Sequence, residues 1–119
     1  MPPRVLIVDD HPGFRTWVRS MLEEDGIQVV GEAGTGADAV RAVGSLHPDL
    51  VLVDVQLPDT SGFEVAERLS GDPTVVVLTS SRAAGDYRRR LASTSAAGFL
   101  AKSDLTGARL ASFVTGGGP

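Results

Sequence analysis

Apolar and polar positions alternate along this chain in two distinct rhythms. Four short runs are apolar almost throughout: Val5-Leu6-Ile7-Val8, Leu50-Val51-Leu52-Val53, Val75-Val76-Val77-Leu78 and Gly98-Phe99-Leu100-Ala101. Runs of this length and branching predict strands covered on both faces. Between them, apolar residues recur at helical spacing. Phe14, Trp17, Val18, Met21 and Leu22 predict a helix that starts near Pro12 and stops at Gly26. Ala39, Val40, Val43 and Leu46 predict a second, from about Thr35 to His47-Pro48.

The remaining elements are weaker in pattern. Residues 27–33 carry Gln28 and Glu32 within an apolar run and predict an edge strand. A short helix is expected over 63–69, after the turn-forming stretch Leu57-Pro58-Asp59-Thr60-Ser61-Gly62. Residues 83–95 read as a poor helix. Gly85 interrupts it, Tyr87 and Leu91 are its only large apolar residues, and Arg88-Arg89-Arg90 gives it a basic face. A last helix is expected over 105–114. Strands at 4–9, 27–33, 50–54, 74–79 and 97–101 thus alternate strictly with helices, the signature of βαβ units. The expected fold is α/β, a doubly wound (βα)5 domain with a five-stranded parallel sheet. Right-handed crossovers place helices on both of its faces. We expect one domain over 1–114, with Thr115 to Pro119 as a glycine-rich tail or the start of a linker.

The ends of the four apolar runs change the picture from fold to chemistry. They lead into Asp9-Asp10, Asp54, Thr79-Ser80 and Lys102. In an open parallel sheet these positions share one edge, where ligands bind. Two like charges about 5 Å apart repel by roughly 3 kcal/mol at an effective dielectric near 20. Clustered acids therefore call for a cation or raised pKa values. Oxygen ligands suit Mg²⁺. Asp54, alone at its strand end, is the candidate nucleophile, since a carboxylate can attack phosphorus. Lys102 can pair with a phosphoryl oxygen and Thr79 can donate to another. Taken singly, an Asp or Thr at a strand end is often a helix cap; the joint occurrence at four ends carries the inference. Lys102 is also the one lysine among eleven basic residues, and a compact ammonium is not interchangeable with a guanidinium fork. His11 reads as a capping or surface residue and His47 as exposed.

Composition narrows the classes. A net charge of −4 over 119 residues disfavours nucleic-acid contact by this domain. The chain has no cysteine, which excludes disulfides and thiolate metal sites and fits a reducing, cytoplasmic setting. No apolar run approaches membrane-spanning length, and Met1-Pro2-Pro3-Arg4 does not read as a signal peptide.

With these residues in place, the chain from about Arg4 to Val114 resembles the receiver domain of two-component response regulators. The stretches Asp9-Asp10-His11-Pro12-Gly13-Phe14-Arg15 and Gly98-Phe99-Leu100-Ala101-Lys102-Ser103 look most like the NarL/FixJ subfamily. The resemblance implies strand order 2-1-3-4-5. It implies that Asp54 takes a phosphoryl group from a sensor histidine kinase. Asp10, Asp54 and the Gln56 backbone carbonyl would bind Mg²⁺ directly, and Asp9 through water. Lys102 and Thr79 would serve the phosphoryl group, and Thr79 with Phe99 would form the switch. Gln56 and Ser81 match positions that tune phosphoryl lifetime in the family. The domain would be no enzyme beyond its own phosphotransfer and autodephosphorylation. Its output would be transcriptional, with a phosphorylation-dependent homodimer as an accompanying expectation. Many receivers have proline after the lysine; Ser103 stands here, so a trans bond is expected. Two other readings remain. One is a phosphorylation-independent interaction module with the same fold. The other is a Mg²⁺-dependent phosphohydrolase of the haloacid dehalogenase type, which Gln56 disfavours because that chemistry needs an acid there.

Overall fold

A computed structural model describes residues 2–115. Strands β1 (Arg4–Val8), β2 (Gln28–Ala33), β3 (Leu50–Asp54), β4 (Val75–Ser80) and β5 (Gly98–Ala101) alternate with helices α1 (Pro12–Glu24), α2 (Gly36–Leu46), α3 (Gly62–Arg68), α4 (Arg88–Ser93) and α5 (Gly107–Thr115). The strands form one parallel sheet in the order β2-β1-β3-β4-β5. The expected order and the edge position of β2 are both observed.

Burial explains the strand patterns. Every residue of β3 is buried, as its unbroken apolar run requires. Edge strand β2 exposes Gln28 and Glu32. One face of the sheet packs Leu6, Val51, Val53 and Leu78 against Ala39 and Val43 of α2 and Phe63 and Val65 of α3. The other packs Val5, Ile7, Leu50, Leu52 and Val77 against Val18 and Leu22 of α1 and Leu110 of α5.

Local chemistry sets the boundaries. Gly26 has φ 81° and ends α1 in the left-handed region. His47 takes a left-handed C-cap conformation after α2 (φ 48°) and is exposed. Thr35 caps α2 by accepting from Asp38 N–H, and Ser61 caps α3 by accepting from Glu64 N–H. All peptide bonds among the described residues are trans, including the one before Ser103.

Two expectations need correction. Residues 83–95 do not form one helix: a 3-10 turn over Ala84–Tyr87 precedes the six-residue α4, and neither contains a buried residue. Gly85 and the scarcity of apolar side chains leave too little burial to order a longer helix. The last helix starts at Gly107, because Thr106 Oγ1 accepts from Arg109 N–H as its cap while Leu105 turns into the core. Trp17 is 53% exposed; it sits at the rim of the α1 stripe, its ring centroid 6.0 Å from that of Phe14, while Val18 and Leu22 take the buried centre. Thr115 belongs to α5, and the tail expected beyond it lies outside the described residues.

Candidate functional site

β1 and β3 are hydrogen-bonded neighbours, so the acids that follow them meet at the carboxyl edge. Asp9 is fully buried, and its backbone N–H donates to Ala33 O of β2 at 3.0 Å. Asp54 is buried and in register with Thr79 of β4. Lys102, directly after β5, extends across β4 to both acids. Its Nζ lies 2.7 Å from Asp9 Oδ2 and 2.8 Å from Asp54 Oδ2. A flexible four-carbon stem makes that reach feasible.

The electrostatics of the three groups are mutual. Burial pushes the Asp9 carboxyl up, but the hydrogen bonds it accepts from the Lys102 ammonium and the His11 N–H outweigh it, so its pKa is lowered. For Asp54 burial wins: together with the neighbouring Asp9 it raises the pKa against the pull of Lys102. Burial disfavours the Lys102 ammonium, yet its bonds to Asp54 and Asp9 raise its pKa.

The other expected residues fall around this centre. Asp10 is exposed at the rim. With His11, Asp54, Gln56, Leu57, Pro58, Ser80, Ser81 and Lys102 it lines a cleft of about 190 Å³. The Gln56 N–H donates to Asp54 Oδ1 at 2.8 Å and fixes that carboxylate's orientation. Thr79 adjoins Asp54, but its fully buried hydroxyl donates to Leu100 O at 2.7 Å. A buried hydroxyl must pair, and the β5 carbonyl in register with it accepts the bond. Phe99 is half-buried in a row of aromatic rings: its centroid lies 5.9 Å from that of Tyr87, which lies 5.9 Å from that of Phe63.

Sequence reasoning missed four contributors. The Phe14 ring lies 4.0 Å beneath Lys102 Nζ, a cation–π contact. Arg15 donates to Asp9 O at 2.5 Å and to Glu32 at 2.9 Å, bracing the acid from behind. Tyr87 OH lies 3.0 Å from Ser80 Oγ, tying the segment before α4 to the cleft. His11 Nδ1 lies 3.0 Å from Asp9 Oδ1 and 3.1 Å from Asp10 Oδ1. The helical spacing places Phe14 in α1; only folding brings its ring beneath the ammonium.

The family description "Response regulator receiver domain" matches residues 5–112. The chain belongs to this receiver family. The receiver domain is 39% identical over 114 residues to the response regulator GacA of Pseudomonas viridiflava, covering 93% of this chain and 51% of that protein. It is 37% identical over 101 residues to the transcription regulator BvgA of Bordetella pertussis, covering 83% of this chain and 48% of that one. The chain thus spans about half the length of these relatives. Among solved structures, the signal receiver domain of the response regulator NarL from Mycobacterium tuberculosis superposes with a TM-score of 0.83 at 34% identity, covering 94% and 96% of the two chains. The receiver of a modulated diguanylate cyclase from Desulfovibrio desulfuricans gives 0.84 at 30% identity, covering 98% and 96%. Both the recognition of the family and the receiver fold are borne out. No helix among the described residues is long and apolar enough to cross a membrane.

Proposed function

We propose that this receiver accepts a phosphoryl group on Asp54 from a sensor histidine kinase and signals through the face formed by α4, β5 and α5. The observation that carries the reading is the Lys102 ammonium held between Asp9 and Asp54 at the mouth of a polar cleft. In the transfer, an Asp54 carboxylate oxygen bonds to phosphorus as the P–N bond to the kinase imidazole breaks, and the imidazole nitrogen keeps the electron pair. Lys102 pairs with a phosphoryl oxygen, and Thr79 donates its hydroxyl to another after leaving Leu100 O. The Thr79 movement then lets Phe99 turn inward. Phe99 has no hydroxyl, so that switch is steric.

The donor set fits Mg²⁺. Asp9, Asp10 and Asp54 carry three carboxylates against one ammonium, leaving two negative charges unbalanced, and hard oxygen donors match a hard dication. Asp10, Asp54 and the Gln56 carbonyl would hold it, with Asp9 through water. Bound there, it would neutralise charge on the transferring group. Output in GacA and BvgA belongs to proteins about twice this length; for this chain we infer transcriptional control from the cytoplasm, a phosphorylation-dependent homodimer, and no direct contact between this domain and DNA. Apart from its own phosphotransfer and dephosphorylation it is not an enzyme.

Mass spectrometry after incubation with Mg²⁺ and acetyl phosphate tests the reading. We expect a hydroxylamine-labile phosphoryl adduct in the wild type and none in Asp54→Asn. A wild type that binds Mg²⁺ yet gains no adduct would leave the phosphorylation-independent interaction module standing instead. Amide exchange across residues 83–95 tests the output face. Because α4 has no buried residue, phosphorylation should change its protection; unchanged exchange there would overturn this route.

A further inference from the structure

His11 is the N-cap residue of α1, yet its side chain makes no capping hydrogen bond. Its imidazole turns back toward the acids instead. Nδ1 lies 3.0 Å from Asp9 Oδ1 and 3.1 Å from Asp10 Oδ1, and the ring lines the cleft with Asp54 and Lys102. The His11 backbone N–H also donates to Asp9 Oδ1 at 2.8 Å, which fixes where the ring starts. One donor atom each from Asp9, His11 and Asp54 lie within 4.8 Å of one another. Around an ion with bonds of roughly 2.1 Å, opposite donors stand about 4.2 Å apart and adjacent ones about 3 Å. The three groups are therefore within small side-chain shifts of sharing one cation.

We propose that His11 supplies a nitrogen ligand to this pocket and makes it a site for borderline transition-metal dications, which it takes more tightly than its carboxylates alone could. The inference rests on the acidic pocket put forward above as the Mg²⁺ site and extends it. Imidazole favours ions such as Ni²⁺, Co²⁺ and Zn²⁺, whereas Mg²⁺ favours oxygen donors and keeps its waters. One pocket then has two regimes: an all-oxygen set for Mg²⁺ and a mixed nitrogen–oxygen set for a softer ion. His11 is exposed, so its ring can swing between the acids and an ion without disturbing the core.

Calorimetric titration of the wild type, His11→Ala, His47→Ala and Asp54→Asn with Ni²⁺ and with Mg²⁺ tests this, with circular dichroism confirming that each variant is folded. We expect His11→Ala to weaken Ni²⁺ by at least about tenfold while Mg²⁺ stays within about twofold. Asp54→Asn should weaken Ni²⁺ as well, and His47→Ala should leave it unchanged. Equal Ni²⁺ affinity in His11→Ala and wild type would overturn the proposal. So would a loss in His11→Ala without any loss in Asp54→Asn, which would mean binding to an exposed imidazole only. Failure of Mg²⁺ to bind the wild type would count against the reading of the previous subsection, while the Ni²⁺ comparison would still decide this one.

Discussion

Replacing Lys102 by methionine removes the charge that lets two buried acids coexist, and its cost can be worked out. The methionine stem keeps the packing volume near Phe14, so the change is mainly electrostatic. Donor atoms of Asp9 and Asp54 lie within 4.8 Å, and two carboxylates at that distance repel by about 3.5 kcal/mol at an effective dielectric near 20. Removing one partner of a buried ion pair costs about 3–5 kcal/mol. Lys102 is 19% exposed, so water screens part of this, and we expect a loss of about 3 kcal/mol near neutral pH. For a domain of this size that lowers Tm by about 12 °C. The sign of the pH dependence follows from the shifts. In the wild type the lowered Asp9 pKa contributes stability that is present above the unfolded value and is lost as pH falls through the folded one. In Lys102→Met only the His11 and Gln56 N–H groups still oppose burial and repulsion, so the acids are raised relative to the wild type and the folded state takes up a proton more readily. The deficit should then be largest near pH 7.5, shrink toward pH 5, and shrink on addition of Mg²⁺. Urea unfolding of both proteins at the two pH values, with and without Mg²⁺, measures this. A loss that is the same at both pH values and unaffected by Mg²⁺ would refute the electrostatic account.

Two further predictions concern the frame around the site. A Cβ at Gly62 would stand 2.5 Å from the Asp54 carbonyl oxygen, whereas one at Gly44 in α2 meets nothing within 4 Å; Gly62→Ala should cost about 1–3 kcal/mol and Gly44→Ala should add about 0.5–1 kcal/mol, and denaturant midpoints moving in the same direction would contradict this. Asp59, in the loop after Asp54, accepts from Gly36 N–H at 2.8 Å and Ala37 N–H at 3.1 Å, and these bonds lower its pKa. Its contribution is present above the unfolded Asp value and is lost as pH falls through the folded one, so Asp59→Ala should be less stable than wild type near neutrality and converge with it in acid, as thermal melts across pH would show.

Much of the fold was legible because strong local patterns and burial agree. The apolar runs at Val5 and Leu50 could form only covered strands, and Gln28 with Glu32 marked β2 as an edge. Alternation of strand and helix then forced a parallel sheet whose carboxyl edge gathers Asp9, Asp54, Thr79 and Lys102. Where local signals were weak, the sequence left the outcome open: spacing placed Trp17 in α1 but not inside or outside the core, since a residue at the edge of a helical stripe is buried or exposed according to what faces it. Residues 83–95 carried too few apolar side chains for periodicity to choose between a 3-10 turn and α-helix.

By itself the sequence determined which chemical groups stand at the ends of the strands, because strand ends follow from short-range pattern and turn residues. Only the tertiary structure decided which groups touch. Lys102 chooses Asp9 together with Asp54, Thr79 spends its hydroxyl on Leu100, and His11 turns toward the acids instead of capping α1. Those choices depend on side-chain reach across neighbouring strands and on the need of every buried polar group for a partner, and both are settled by distances that no one-dimensional pattern carries.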